Sequence, residues 1–355
     1  MPISAPETES IPFERPLLRT GVVDRTAAAH EQIAAIREGR HPGGCVDWSG
    51  LSLIGEDLSC LDLMAANLTG ADLSRCNLKN ANLFGAQMAG ATLFEANMSG
   101  AELSGSNLEG ANLEGANLQH TGLGMSKLAG ASLTRAEMEG VTLTEADLTG
   151  ADLRRADLHK ARARNVNFTD ADLSRSQCIE TEFDGSNVKG AVFNGACLRS
   201  SSLSGLQGYK EASWIGADMR DIDFTGAYLC RRFANDQNFI AEFKRQSRWS
   251  KVLYYLWSFT SDCGRSVARW SLCTAAIVVV FACLYTTVGI SYGDHQTWLS
   301  PLYFSVVTMT TLGYGDVLPS SVMGQVVAMC EVVTGYVMLG GLLSIFSNKM
   351  ASRAD

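Results

Sequence analysis

The sequence predicts a multi-domain protein in which a repeat domain precedes an all-α transmembrane domain with two spans. A five-residue pattern runs from Leu51 to Leu203, whereas residues 270–348 contain no lysine or arginine and many aliphatic and aromatic side chains. The averages over the 355 residues, a net charge of −8 and 46% hydrophobic residues, would also fit two soluble domains. The uneven distribution of these residues along the chain therefore decides the fold class.

The repeat is clearest at every fifth residue from Leu53 to Leu203. Of these 31 positions, 22 are leucine, three are methionine and three are phenylalanine, and the others are Ala163, Cys178 and Val188. The residue two positions before each of them is mostly small, and most often alanine. A period of five fits neither an α-helix nor a β-strand. The pattern therefore indicates a repeat architecture.

The phrase A-(N/D)-L-x-x resembles the repeat of the pentapeptide-repeat family over about half of the chain. The resemblance implies a right-handed quadrilateral β-solenoid over residues 48–230, with one pentapeptide per side, twenty residues per coil and the central residue facing inward. Nearly eight coils would form a column roughly 37 Å tall at a strand spacing of about 4.8 Å. Ala163 and Phe183 are twenty residues apart and complementary in size, which favours coils of this length because interiors are closely packed.

Both ends of the repeat domain depart from the pattern. Residues 1–47 should form an N-terminal segment with a capping helix that ends near Gly39, since an open solenoid end exposes unpaired strand edges. After Leu203 the pattern shifts by one residue, and we expect an outward loop there. The loop would carry Tyr209 and Trp214. The final repeat centres are expected at Met219, Phe224 and Leu229.

Three arginines spaced by twenty residues, Arg135, Arg155 and Arg175, should form an outward-facing column on the repeat domain. The column could bind an anionic ligand, or it could be a solvated ladder that nearby carboxylates neutralise; we favour the ladder. The carboxylates in question are Glu137, Asp152, Asp157 and Asp172. Residues 51–205 hold 19 acidic and 12 basic side chains, which is too balanced for an acidic mimic of DNA. No nucleic-acid partner is expected, and a cytoplasmic protein or an anionic ligand is the partner that the repeat domain could take.

Two apolar runs predict the two membrane spans. The first contains 19 uncharged residues, 270–288, which is enough for one span at about 1.5 Å per residue. The second extends from about 321 to 346 and is broken only by Glu331. Within a domain over residues 267–350, we place an outer helix at about 268–289, a short helix at about 298–310 and an inner helix at about 321–347. A segment between the spans is tolerated at membrane depth only where it is buried in protein or lines a pore.

The stretch Thr310–Asp316, with the sequence TTLGYGD, resembles the signature of potassium channels, and its surroundings resemble the span, pore helix, filter, span order of two-span channels. The resemblance implies a re-entrant pore helix and a selectivity filter at residues 311–315. Backbone carbonyls would bind dehydrated K⁺ there, so K⁺ is the only ion expected and no cofactor is implied. The K⁺ ligands would be Thr311, Leu312, Gly313 and Tyr314, with Gly315 completing the filter. Leu312 stands where the family most often has valine, and it leaves the carbonyl available.

Further roles follow from the same resemblance. Asp316 would close the outer mouth and could bond to Tyr303 on the pore helix. Gly335 could be the hinge of the inner helix or a close-packing position, whereas packing is favoured for Gly340 and Gly341. Glu331, the only ionisable side chain in the second span, could line a cavity as a ring of four carboxylates or hydrogen-bond behind the filter to the pore helix; we favour the second alternative.

Charge and the remaining motifs complete the prediction. Residues 231–266 should form an amphipathic linker helix that either lies at the membrane surface or packs on the solenoid. Residues 231–269 hold eight basic and three acidic side chains, so this side of the membrane should be cytoplasmic. The sequence thus predicts a homotetrameric potassium channel in the cell (inner) membrane, with both termini and the repeat domain cytoplasmic. The alternative is a membrane-tethered adaptor whose pore module does not conduct.

Nucleotide, metal-cluster and nucleophile motifs are absent from the sequence, so no enzyme is predicted. The ten scattered cysteines indicate small buried side chains rather than a zinc or disulfide framework.

Overall fold

The computed structural model describes residues 25–39, 45–222, 228–264, 266–293 and 296–354, with side chains up to residue 347 of the last range. The chain divides into two compact units, Met1–Asn238 and Phe239–Asp355. The regular elements are α1 (Arg25–Arg37), α2 (Tyr228–Gln246), α3 (Arg248–Ser261), α4 (Val267–Tyr285), β1 (Ile290–Ser291), α5 (Ser300–Met309), β2 (Leu318–Pro319) and α6 (Val322–Ala354).

The first unit is a β-solenoid with twenty residues per coil. Single-residue parallel bridges join residues twenty apart, from Asp47 with Asn67 up to Asn187 with Gln207. Each pentapeptide exchanges backbone hydrogen bonds with its neighbouring coils, as where the amide of Leu53 donates to the carbonyl of Asp72 at 2.8 Å. These bonds pair the backbone groups that a long non-helical chain would otherwise leave unsatisfied.

Side-chain size and turn geometry explain the five-residue phrase. The central residue and the small residue two positions earlier face the interior, as Leu68 and Ala66 do at 0% exposure. The residue two positions after each centre turns the corner with a positive φ, for example 64° at Gly150 and 61° at Arg155. Glycine adopts this left-handed conformation without steric cost, and the repeat often has glycine there.

The end of the solenoid corrects the sequence prediction for Trp214. This residue does not lie on an outward loop: it is fully buried, and its ring stacks on Phe193 at 4.4 Å. Bridges from Val192 to Ser213 and from Cys197 to Asp218 show that the extra residue is absorbed within the coil, which becomes 21 residues long there. The shift in the pattern therefore lengthens a turn and leaves the interior continuous, because burial of an indole ring against another aromatic ring is strongly favourable.

The helix α2 begins where the last repeat centre was expected. Leu229 is not a solenoid centre, because it lies in α2 and is 58% exposed. Another face of α2 carries the buried Cys230 and Ala234, which belong to the solenoid core. A helix that covers the open end explains why the five-residue pattern stops before Leu229. Phe224 lies outside the described residues, and Met219 is buried.

Helices close both ends of the solenoid. In α1, Ala29, Ile33 and Ile36 are buried in the same core. At the other end, Gln237 of α2 accepts a hydrogen bond from the amide of Trp214 at 2.9 Å, and Asn238 accepts one from Gly216 at 2.7 Å. These side chains satisfy backbone donors that a further coil would otherwise have satisfied.

The single linker helix predicted over residues 231–266 is wrong, because the structure has two helices, α2 and α3, with a break at Ser247. Ser247 has an extended backbone and accepts a hydrogen bond from the amide of Ser250 at 3.0 Å, while the hydroxyl of Ser250 accepts one from the amide of Ser247. This reciprocal capping box starts a new helix and thereby ends the previous one.

In the second unit, the helices α4, α5 and α6 pack against one another, and α3 contacts α4. The strands β1 and β2 pair antiparallel, with Ile290 opposite Pro319. Tyr285, Phe304 and Val317 form a small buried cluster. The helix α6 continues beyond the predicted end at residue 347 to Ala354, since residues 348–354 include no glycine or proline that would stop it.

Two helices of this unit are long and apolar enough to cross a membrane, Val267–Tyr285 and Val322–Ser347. Only 6% of the first apolar window and 17% of the second is buried within the chain. These helices are therefore unlike the core helix of a soluble domain, which is mostly buried, and their apolar surfaces require another apolar environment.

Candidate pore site

The signature segment begins where α5 ends. The amide of Thr311 donates to the carbonyl of Thr308 at 3.0 Å, and the amide of Leu312 donates to the carbonyl of Val307 at 3.1 Å. Residues 311–316 are all exposed in the single chain. The segment is thus fixed at its start by the helix and open along its length.

The backbone of this segment alternates in handedness. Thr311, Gly313 and Gly315 have φ values of 58°, 49° and 76°, whereas Leu312 and Tyr314 do not have positive φ. Glycine adopts such values readily, but for a β-branched residue such as Thr311 they are a clear outlier. Backbone outliers of this kind cluster at functional sites.

The C-terminal end of the segment is held by a side-chain hydrogen bond. The hydroxyl of Tyr303, on α5, donates to a carboxylate oxygen of Asp316 at 2.7 Å. Val317 follows directly and is buried, and β2 then pairs with β1. Asp316 is therefore fixed between α5 and the strand pair.

A buried carboxylate joins the three helices. Glu331 of α6 is 0% exposed, accepts a hydrogen bond from the Tyr285 hydroxyl of α4 at 2.5 Å, and is hydrogen-bonded to the Ser305 hydroxyl of α5. The same serine oxygen lies 2.9 Å from the carbonyl of Val278. The carboxylate thus bonds to α5 inside the unit and is not exposed at a cavity.

Two glycines of α6 mark close helix contacts. A Cβ atom added at Gly335 would lie 2.3 Å from the carbonyl oxygen of Met309, at the end of α5, and one added at Gly341 would lie 2.2 Å from the Trp270 ring. The Trp270 indole also donates to the carbonyl of Met338 at 2.8 Å. A Cβ added at Gly340 would meet nothing within 4 Å. Gly335 therefore lets α6 approach the start of the signature segment.

Sequence reasoning identified Glu331, but it did not identify Tyr285 and Ser305 as its partners. The charge in an apolar run was a sufficient signal for Glu331. Its partners are 46 and 26 residues away and on other helices, so no local pattern marks them. The indole contact of Trp270 was missed for the same reason.

The donors at the signature segment are oxygens. The oxygens available to a cation are the backbone carbonyls of residues 311–314 and the hydroxyl of Thr311, because these residues are exposed. Oxygen ligands suit hard cations. Within the part of the chain that the structure describes, no group of three or more His, Cys, Asp or Glu side chains could hold a metal ion.

Comparison with protein families defines the class of each part. Residues 269–352 match the family described as Ion channel, and four stretches between residues 62 and 205 match the pentapeptide repeats. The chain therefore combines a channel domain with N-terminal pentapeptide repeats, as the sequence predicted, and the family that it matches is one of channels and not of enzymes. The repeat matches cover residues 62–100, 96–135, 131–170 and 167–205.

The relatives of the channel part are named as potassium channels. The chain is 39% identical over 88 residues to Two-pore potassium channel 1 of Arabidopsis thaliana, which is 22% of this chain and 24% of that protein. It is 38% identical over 77 residues to the Calcium-gated potassium channel TvoK of Thermoplasma volcanium, which is 21% of this chain and 22% of that protein. The chain thus spans about a quarter of the length of these curated relatives.

Solved structures resemble the repeat part. HetL, a pentapeptide repeat protein from the cyanobacterium Nostoc, is 24% identical, with a TM-score of 0.34 over 54% of this chain and 91% of that one. QnrB1, a plasmid-mediated fluoroquinolone resistance protein, is 19% identical, with a TM-score of 0.33 over 51% of this chain and 96% of that one. The solenoid of this chain is established by its own coil geometry.

Proposed function

We propose that this protein is a homotetrameric, potassium-selective channel. The observation that carries the proposal is the segment Thr310–Asp316, which follows α5 directly and lies between two exposed apolar helices. In the proposed arrangement, α4 and α6 span the membrane and α5 is a re-entrant pore helix. Residues 311–315 form the selectivity filter, and K⁺ is the cargo.

The alternating backbone of the segment supports this role. In a β-strand successive peptide dipoles point in opposite directions, whereas alternation with left-handed residues brings successive N–H groups to one side. The carbonyls of Thr311, Leu312, Gly313 and Tyr314 can then face the other side together. Carbonyl oxygens arranged around an axis replace the hydration shell of K⁺, and the hydroxyl of Thr311 would add a further oxygen at the cavity end.

The exposure of the signature segment in a single chain supports the tetramer. Leu312 and Tyr314 are 59% and 66% exposed, and one segment cannot surround an ion. Four copies would bring the carbonyls around one axis and cover part of the apolar surface of α6. Asp316 with Tyr303 would shape the outer mouth, Gly335 would act as the hinge, and Glu331 would hold the pore helix from behind.

Flux measurements on purified protein in liposomes test this proposal. K⁺ efflux that exceeds Na⁺ efflux is expected for the natural chain. Gly313→Ala should bring the permeability ratio of K⁺ to Na⁺ close to one, because a β-carbon at φ 49° opposes the required conformation although it would meet no atom within 4 Å. Gly340→Ala is the matched control, since its added methyl group also meets open space but lies in a helix.

Absence of K⁺ flux from folded protein would favour the alternative function, a membrane-tethered adaptor. If Gly313→Ala and the natural chain had the same ion selectivity, the assignment of residues 311–315 as the selectivity filter would be contradicted.

The orientation of the chain is part of the same proposal. Eight basic residues lie in 231–269, and Lys349 and Arg353 follow the second apolar run, whereas the loop between the two spans has no lysine or arginine. Basic residues stay on the cytoplasmic side of a membrane. Both termini and the repeat domain are therefore assigned to the cytoplasm, and the channel to the inner membrane of the cell. The proposal includes a right-handed solenoid, which the resemblance to the pentapeptide-repeat family implies. The repeat domains would regulate gating or assembly.

An impermeant thiol reagent applied to intact cells tests the orientation. Asp294→Cys, in the outer loop and outside the described residues, should be labelled. Cys45 and Cys60 are exposed on the repeat domain and should be labelled only after permeabilisation. Cys76 and Cys178 serve as silent controls, because burial raises the pKa of their thiols to about 11 and about 12. Labelling of Ser4→Cys, also outside the described residues, on intact cells would reverse the assignment.

A further inference from the structure

Three arginines on consecutive coils share one backbone conformation. Arg135, Arg155 and Arg175 turn the corner of the solenoid with φ values of 59°, 61° and 60°. The amide of Arg135 donates to the carbonyl of Arg154 on the next coil at 3.0 Å, and the amide of Arg155 donates to the carbonyl of Ser174 at 3.1 Å. Equal backbone angles on bonded coils direct the three side chains away from the solenoid in the same direction, about 4.8 Å apart.

The neutralised ladder expected from the sequence is not what the structure shows. Asp152 and Asp172 pair with Arg154 instead, at 2.5 Å and 3.9 Å. The hydrogen bond from Arg154 also lowers the pKa of Asp152 below its usual value. Among the described residues, none of the three column arginines forms an ion pair.

The other two carboxylates also have different partners. Glu137 accepts a hydrogen bond from Gln119 at 3.4 Å, and Asp157 accepts one from the amide of His159 at 3.1 Å. All four carboxylates that could have neutralised the column therefore contact other groups.

An arginine with an acidic partner occurs at the same corner of the solenoid and can be compared with the three unpaired arginines. Three and two coils before Arg135, Arg75 and Glu95 occupy equivalent turn positions and form an ion pair at 2.9 Å. This column can therefore hold a paired arginine when the residue twenty positions later is acidic. At Arg135 and Arg155 the residue twenty positions later is another arginine. Like charges directly opposite each other on neighbouring strands are destabilising, so the unpaired stack costs folding free energy that a bound anion would offset.

The arginines line a cleft of about 510 Å³. Its wall also includes Thr134 and Ser174, whose hydroxyl groups can donate hydrogen bonds. The volume lies in the range of small-molecule sites. Guanidinium groups recognise phosphate oxygens through two parallel hydrogen bonds.

We propose that the column of Arg135, Arg155 and Arg175 binds a compact polyanion that carries successive phosphate groups, such as a polyphosphate or a nucleoside triphosphate. The length of the column favours a compact ligand. Gly115 and Gly195 occupy the turn positions on either side of it, and Glu114 lies on the wall of the cleft. A nucleic-acid duplex would extend beyond three coils onto a domain with more acidic than basic residues, where its phosphates would be repelled.

Titration calorimetry on the full-length protein tests the site, with inorganic tripolyphosphate as the probe. Binding should be measurable at low salt and weaken as the ionic strength rises, because exposed charges are screened over about 10 Å at 0.1 M salt. Each Arg→Gln substitution at the three positions should weaken binding about tenfold, since each removes one charge-assisted contact.

The same titrations are carried out with ATP and with a polyglutamate peptide, and their affinities are compared with that of tripolyphosphate. Equal affinity for ATP and tripolyphosphate would assign recognition to the phosphate chain alone, and tighter binding of ATP would add the nucleoside; either result supports the site.

Matched variants separate this site from general attraction to positive charge. Arg75→Gln and Arg164→Gln each remove an arginine that already has a carboxylate partner, Glu95 or Glu182, and they should leave the affinity unchanged. Arg155→Glu should abolish binding and raise the melting temperature, because it would give Arg135 an acidic residue on the next coil, as Arg75 has in Glu95. This variant gives a readout even if the glutamine variants fold poorly.

Three results would overturn the proposal. They are no binding of tripolyphosphate at low salt, unchanged affinity after all three arginines are replaced, and preference for polyglutamate, which would assign the column to an acidic protein partner.

Discussion

Among single residues, Glu331 shows how one polar side chain organises an apolar domain. A charged or polar group buried among apolar helices is costly unless hydrogen bonds satisfy it. Tyr285 and Ser305 supply those bonds from two other helices, so one carboxylate fixes α5 relative to α4 and α6. The sequence identified the carboxylate because it stands alone in an apolar run. Its partners follow only from tertiary packing.

Tyr285→Phe tests this interpretation of Glu331. The substitution removes the hydroxyl but keeps the ring that packs edge-to-face on Phe304 at 4.8 Å. One oxygen of a buried carboxylate would lose its donor, which should cost about 1–3 kcal/mol of stability. Thermal unfolding of the detergent-solubilised protein measures the loss. Tyr336→Phe is the control, because Tyr336 is 62% exposed; equal effects of the two substitutions would contradict a structural role for the Tyr285 hydroxyl.

At the scale of elements, regular repetition was easier to predict than interruption. Each pentapeptide repeats one local geometry, so the five-residue pattern indicated the coils directly. One inserted residue near Gly208 shifted the pattern, and Trp214 was therefore placed outside although its ring continues the core next to Phe193. The capping box of Ser247 and Ser250 causes the break between α2 and α3. A prediction from the pattern of hydrophobic residues does not detect this break, because both residues are small and polar.

The helix α6 gives a prediction at this scale. Gly335→Ala would place a methyl group 2.3 Å from the carbonyl oxygen of Met309, directly before the signature segment. The helices must then move apart, and we expect lower thermal stability, by about 1–3 kcal/mol as for other overpacked sites, together with altered K⁺ flux.

Gly340→Ala is the control for this experiment as well. Its methyl group meets open space, and alanine has a helix propensity up to about 1 kcal/mol better than that of glycine. If Gly335→Ala changes gating but leaves stability as in the control, bending at Gly335 and not close packing explains the glycine.

At the scale of the whole molecule, composition predicted two parts, and family comparison identifies both. The boundary between them was harder to predict, because α2 continues from one unit into the other. Its first half packs on the solenoid through Cys230 and Ala234 and ends that contact with Gln237 and Asn238. A change in composition near residue 231 could not reveal that a basic, amphipathic helix also caps the last coil.

Removal of the repeat domain tests whether it regulates the proposed channel. The structure places the cut after Asn238, since deletion of residues 1–230 would leave Gln237 and Asn238 without the backbone groups of Trp214 and Gly216 that they bind. The chain that begins at Phe239 retains α4, α5, α6 and the signature segment, so it should still form K⁺-selective channels. The repeat domain is connected along the chain to α4 through α2 and α3, so movement of the domain can be transmitted through these helices, and its loss should change the open probability of the proposed channel. Single-channel recording of the truncated and full-length proteins in the same lipid measures this probability. An unchanged value with intact conductance would show that the repeat domain serves as a scaffold or an aid to assembly, because a regulator of gating cannot be removed without shifting the equilibrium between closed and open states.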